Sequence, residues 1–273
     1  MTESEAGRAA NSAANSRFMG WLARAGLTAR GLVYIALGWL AVLVGQGATA
    51  NVDQRGALTE ILDQPYGGAT VWLLTIGFAA YAVWRLSEAA FGATGEGKKA
   101  GPRVKSLARA FAYVAMAVTA QSLLHGARAT QSGQQGDLAG TVMQHPGGRL
   151  AVGIVGLAVL AAGLWFVREG WTTAFIRYFE ALPARRRKVI VWLGRVGTIA
   201  RGVVFAVSGL LAVVAAWTVD PEKAGGIDQA FRTLLEQPFG TALVVLLGAG
   251  LLLFGVYGLA EAAWRRVPDE SRR

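Results

Sequence analysis

Between residues 31 and 48 the chain carries no Asp, Glu, Lys or Arg, and five further stretches repeat the pattern with at most one such residue each: 67–84, 110–125, 148–167, 202–219 and 239–260. A helix rising 1.5 Å per residue needs roughly 17 to 25 apolar residues to cross about 30 Å of hydrocarbon. The six stretches fit that requirement and predict six transmembrane helices in an all-α, polytopic membrane protein. The third is the least apolar, because Thr119, Gln121, Ser122 and His125 interrupt its second half. Charged residues make up only 16% of the 273-residue chain, against about 25% in soluble domains, so much of the surface must face lipid.

The net charge of +10 would suit nucleic acid, but its placement follows a membrane rule instead. Basic residues crowd the segment before the first stretch (Arg8, Arg17, Arg24, Arg30), the second connection (Lys98, Lys99, Arg103, Lys105, Arg109), the fourth (Arg177, Arg185, Arg186, Arg187, Lys188, Arg195, Arg201) and the tail (Arg265, Arg266, Arg272, Arg273). The first, third and fifth connections hold few. Loops enriched in Lys and Arg are the cytoplasmic ones, so six spans with both termini in the cytoplasm satisfy the bias throughout. No zinc-ligand or RNP-like pattern points to nucleic acid, and the absence of cysteine excludes disulfides and thiol nucleophiles. The partners expected are the bilayer itself and anionic lipid headgroups at the basic loops, above all at 177–192, where aromatics mix with a basic cluster.

The chain also repeats itself. WLARAGLTARGLVYIALGWLAVLVG at 21–45 aligns with WLGRVGTIARGVVFAVSGLLAVVAA at 192–216, and a weaker copy, ARAFAY, stands at 108–113. The prolines of DQPYG, QHPGG and EQPFG each precede a glutamate by the same interval: Pro65 to Glu88, Pro146 to Glu169 and Pro238 to Glu261. Each unit crosses twice, so all copies share one orientation, as parallel repeats about an axis along the membrane normal do. The predicted architecture is three tandem antiparallel helix hairpins with pseudo-threefold symmetry. Its parts are a disordered N-terminal tail at 1–20, repeat 1 at 21–98, repeat 2 at 99–176, a basic interfacial linker at 177–191, repeat 3 at 192–266 and a C-terminal tail at 267–273. A short amphipathic helix is expected before each proline.

From proline to glutamate the second helix runs about 34 Å, roughly the hydrocarbon thickness. Glu88, Glu169 and Glu261 therefore stand where the second helices leave the membrane, level with Arg30, Arg109 and Arg201, where the first helices enter it. Charge pairing across this layer is read as structural, with Arg85 a partner for Glu88 and Arg109 for Glu169; an ion relay is the rival. Small residues seven apart, Gly31 and Gly38, Ala110 and Ala117, Gly202 and Gly209, form a packing notch. Tyr34, Tyr113 and Phe205 follow the arginines by four residues, and Trp84, Trp165 and Tyr257 precede the glutamates by four; they read as interface anchors. His125 and His145 read as loop residues, and GATGEGKKAG at 92–101 lacks the phosphate-loop spacing. No catalytic, cofactor or metal site is assigned, and the chain is expected not to be an enzyme.

The segments ARAGLTARGLVY at 23–34 and GRVGTIARGVVF at 194–205, with the proline-to-glutamate interval, resemble the bacterial membrane family catalogued as domain of unknown function 1206. The resemblance covers Trp21 to Arg266 and departs from its pattern at Ala110 and His145. It implies a multi-pass protein of the bacterial inner membrane built from three two-helix units, and implies no activity. The leading expectation is a non-enzymatic scaffold or partner-binding module. The alternative is a small-solute channel or transporter along the pseudo-threefold axis, which a continuous polar, water-sized passage would favour, whereas an axis packed with Leu, Val and Gly would favour the scaffold.

Overall fold

The computed structural model describes residues 17–91, 100–127, 130–179 and 184–264. Most of the N-terminal tail, most of the glycine-rich basic loop, Arg265 and the C-terminal tail lie outside these residues. The described residues form nine α-helices: α1 (Arg17–Gly45), α2 (Gln54–Leu62), α3 (Gly67–Phe91), α4 (Ala100–Leu124), α5 (Gln131–Met143), α6 (Gly148–Thr172), α7 (Ala184–Thr218), α8 (Gly226–Leu235) and α9 (Gly240–Trp264). Two 3-10 turns, Ala174–Tyr178 and Pro221–Ala224, join them. Six helices, α1, α3, α4, α6, α7 and α9, are long and apolar enough to cross a membrane. The all-α, six-span architecture read from the sequence is the one observed.

Each repeat is a long helix, a short helix ending at the proline, and a second long helix of 25 residues. The turn between the last two has one chemistry throughout. The residue after the proline takes a left-handed conformation, Tyr66 at φ 64°, Gly147 at 78° and Phe239 at 62°. The next residue is Gly67, Gly148 or Gly240, because a side chain there would collide with backbone carbonyls of the short helix just before it. Two of these left-handed residues are aromatic and fully on the surface. Glu88, Glu169 and Glu261 fall in the last turn of the second helices.

The first helices differ from expectation. They begin at Arg17, Ala100 and Ala184, well ahead of Arg30, Arg109 and Arg201, so the arginines sit inside helices that overshoot the ends of their partners. The basic run from 184 to 191, read as a linker, is the opening of α7.

Around the bundle the order is α1, α3, α4, α6, α7, α9 and back to α1. The closest pairs straddle the repeats: α6 with α7, α9 with α1, and α3 with α4. Glycine explains the ranking. Gly156 and Gly163 of α6 face Gly209 and Gly202 of α7, and Gly248 and Gly255 of α9 face Gly38 and Gly31 of α1; a β-carbon added at any of these eight would come within 3.0 Å of the opposite glycine's carbonyl oxygen. Backbone meets backbone there, the close approach small residues allow between membrane helices. At the matching places of the α3 and α4 seam stand Thr75, Ala82, Ala110 and Ala117, and that pair packs less closely.

Within repeats the pattern is uneven. In repeat 1 the Tyr81 ring lies on Gly26, and Gly77 faces Ala29; in repeat 3 Phe254 lies on Gly197, and Gly250 faces Ala200. The corresponding residues of repeat 2 are Lys105 with Ala162, and Ala158 with Ala108. Neither aromatic nor glycine is present, and α4 and α6 barely meet. The ring is open at repeat 2.

Candidate functional site

The bundle axis is hollow. A cavity of about 500 Å³ runs from glutamines of the short helices, Gln54, Gln131, Gln134 and Gln135, to the level of the arginines at the opposite end. On α4 its wall extends from Arg109 to Thr119, about 15 Å of helix. Four arginines, Arg30, Arg85, Arg109 and Arg201, line it against two glutamates, Glu169 and Glu261.

The three glutamates, equivalent in sequence, do three different things. Glu261 is buried and accepts a hydrogen bond from Arg30 Nη2 at 2.5 Å, joining the last helix to the first. Gly258, one turn before it, lies against the backbone of Gly31, where an added β-carbon would come within 3.2 Å of the Gly31 Cα. Glu88 accepts from Arg85 on its own helix at 2.6 Å and from Ser106 Oγ at 3.1 Å. The expected Arg85 pair is therefore present. The expected pair between Arg109 and Glu169 is not: among the described residues no ion pair joins them, and Glu169 faces the cavity.

Arg85 also donates to the Tyr81 hydroxyl at 2.5 Å, with its guanidinium 4.2 Å from the Trp84 ring centre. Its equivalent in repeat 2 is Phe166 and in repeat 3 Gly258. Phe166 joins Tyr34, Phe205 and Phe254 to surround the guanidinium of Arg201, whose distances to the four ring centres are 4.2 Å, 5.5 Å, 5.2 Å and 5.0 Å in that order. Among the described residues Arg201 has no carboxylate partner, and its buried Nε has no hydrogen-bond partner. A guanidinium enclosed by ring faces keeps attractive contact with them, while its N–H groups remain available to an acceptor of fixed geometry.

The aromatic residues expected to anchor the bundle at the interface mostly turn inward. Tyr34, Trp84, Tyr113 and Tyr257 are buried, Phe205 is half-buried and lines the cavity, and Trp165, 51% exposed, alone keeps an outward place. Beyond α6, Phe175 meets the Tyr257 ring edge-on at 5.2 Å and Phe179 meets it tilted at 5.8 Å. Sequence reasoning did not single out these two rings, Phe166, Phe254 or the glutamines of α5. A signal for Phe254 and Tyr81 existed in their shared position in the repeat; the α5 glutamines resemble any polar loop.

At the far end, Gln131 donates to Gln54 Oε1 at 2.9 Å and its own Oε1 accepts from the Arg55 backbone N–H at 3.2 Å, tying α5 to α2. Arg55 donates to the Ala127 carbonyl at 3.0 Å. Asp53 caps α2 through Gly56 N–H. Burial, with the nearby Asp228 carboxylate adding to it, holds the Asp53 carboxyl above its ordinary pKa.

With this geometry described, comparison with known proteins adds the following. The sequence profile of the family described as Domain of Unknown Function (DUF1206) matches the chain three times, at residues 25–92, 104–173 and 196–265, once on each repeat. The chain belongs to that family. It is also similar to the uncharacterized protein YxxB of Bacillus subtilis (strain 168), 27% identical over 253 residues that make up 91% of this chain and 92% of the relative. No solved structure matches it.

Proposed function

We propose that this DUF1206 member is a solute-binding membrane protein that takes a small anion into its axial cavity, and that Arg201 holds it. The observation that carries the reading is the Arg201 guanidinium, ringed by four aromatic faces, without a carboxylate partner among the described residues. Arg30 and Arg85 have ion pairs that fix their positions. Arg201 lines a space large enough for a ligand, and pockets of roughly 300 to 1,000 Å³ are typical for small molecules. A scaffold would draw stability from a filled axis; a hollow one crossed by side chains at both ends favours a solute-binding site over a scaffold and over an open channel along the axis.

Binding, not bond-making, is the work assigned to the site. The basic end faces the cytoplasm of a bacterial inner membrane, where Lys and Arg are retained and anionic headgroups gather around the overshooting first helices. The anion then lies close to the level at which the second helices end, where charge is less costly than at the membrane centre.

The test is thermal stabilisation of the purified full-length protein in neutral detergent by phosphate, acetate and longer carboxylates. A ligand that binds only the folded state stabilises it by RT ln(1 + [L]/Kd). At least one anion is expected to raise the unfolding temperature of the wild type and to lose that effect in Arg201→Gln, with Arg201→Lys intermediate. No stabilisation by any anion, or stabilisation that survives in Arg201→Gln, contradicts the reading.

A further inference from the structure

We infer that the gap between α4 and α6 is a side portal, and that the anion held on the axis is the headgroup of a lipid-like amphiphile whose acyl chain lies in that gap. This deepens the axial-site reading and rests on it. Three observations converge on it. First, α4 and α6 are the neighbours in the ring that barely meet, and their spans are the least buried of the six. Second, Arg109, Ala112 and Ala115 line the cavity and are solvent-accessible, so the cavity is not sealed along this stretch of α4. Third, both axial ends are crossed by side chains: Gln131 reaches Gln54 at one, and Phe175 meets Tyr257 at the other.

The chemistry of the portal is graded. Arg109, Glu169 and Arg201 all line the cavity. One and two turns further along α4 the wall becomes Ala112, Ala115 and Met116, small and apolar. A molecule with a negative head and an apolar chain matches that order, since the head reaches Arg201 while the chain stays in contact with membrane hydrocarbon. A free inorganic anion would meet only the first part. Arg30 and Arg85 are paired with Glu261 and Glu88, and Arg201, which has no carboxylate partner among the described residues, favours a negative head over a neutral or cationic one. The cause of the opening is written in the sequence: where repeats 1 and 3 place a glycine in close contact with an aromatic residue, repeat 2 has Lys105 and Ala162.

Because the chain has no cysteine, a pair introduced as Ala108→Cys and Ala158→Cys is the sole thiol pair, at the positions whose equivalents touch in repeats 1 and 3. Full-length protein in neutral detergent is titrated with phosphatidic acid and, as a headgroup-only probe, inorganic phosphate, with retained lipid read by native mass spectrometry. Before cross-linking, the double variant is expected to retain phosphatidic acid like the wild type. After bridging with a bifunctional maleimide, retention falls by about tenfold, a change of about 1.4 kcal/mol, while any phosphate binding is unchanged. Ala108→Trp, which fills the gap by bulk without a cross-link, is expected to act in the same direction. Equal retention of lipid by bridged and unbridged protein overturns the portal while leaving the axial site standing. Lipid retention unaffected by Arg201→Gln overturns the axial site itself. Cross-links that form between two copies, not within one, overturn the portal by making the gap an interface between copies.

Discussion

In repeats 1 and 3 a glycine of the first helix lies directly against an aromatic residue of the second, Gly26 against the side chain of Tyr81 and Gly197 against the backbone and β-carbon of Phe254, whereas repeat 2 has Lys105 and Ala162 and its helices stand apart. The three units share their turns, their arginines and their glutamates. Among the positions at which they differ, the glycine and the aromatic residue of this contact separate the hairpins that close from the one that does not. Membrane helices gain no hydrophobic drive toward one another within lipid, so association depends on close packing. Removing the notch from one unit therefore opens the ring at that unit alone. The same asymmetry spreads to the charges: Glu261 and Glu88 are held in ion pairs, and Glu169, in the open repeat, faces the cavity.

The largest separation between repeats is expected from neutralising the three glutamates one at a time. Glu261→Gln leaves the buried Arg30 without its partner and should cost about 3 kcal/mol, as breaking a buried pair does. In Glu88→Gln, Arg85 keeps Tyr81 and the Trp84 ring, and the cost should be about 1 kcal/mol. Glu169→Gln should stay within about 0.5 kcal/mol. Unfolding in detergent reads all three, and equal losses would make the repeats energetically alike.

Next in size is overpacking. Ala29→Leu forces bulk against Gly77 and should cost about 2 kcal/mol, while the equivalent Ala108→Leu, exposed at the open repeat, should lie within about 0.5 kcal/mol. Similar costs at the two sites would mean that repeat 2 is as closed as repeat 1.

The short helices supply the smallest contrast. Asp53 caps α2 from a buried position and Thr130 caps α5 from an exposed one. Folding raises the Asp53 pKa, so the folded state binds a proton more readily than the unfolded state. Stability therefore increases as pH falls from neutral toward the ordinary carboxylate range near ~4 and is lost as pH rises through the elevated folded value. Asp53→Asn keeps the capping oxygen, should be slightly more stable than wild type at neutral pH, and should flatten that slope. Thr130→Ala should cost about 1 kcal/mol with no dependence on pH. An unchanged slope in Asp53→Asn would remove Asp53 as its source.

Helix number and the threefold repeat were legible because each depends on local spacing: apolar length and the constant run from proline to glutamate. The pairing of Arg30 with Glu261 was not, because it arises where the last helix meets the first, and chain order says nothing of how a ring closes. Gly31, Gly38, Gly202 and Gly209 announced a close seam, but their partners Gly156, Gly163, Gly248 and Gly255 lie on helices of other repeats. The inward aromatics were missed for a physical reason: Tyr and Trp near a helix end suit an interface as well as a cavity, and burial alone separates the two. Arg201 was placed in the charge layer by its position in the repeat; that rings surround it in place of a carboxylate depends on four helices meeting on the axis.

The most direct test of the unequal closure is a set of three distances between spin labels at equivalent outward positions in each repeat, Leu32 with Val83, Phe111 with Leu164, and Val203 with Val256, each introduced as a cysteine pair into the cysteine-free chain. The account predicts a longer distance for the Phe111 and Leu164 pair than for the other two in lipid. Three equal distances would contradict it.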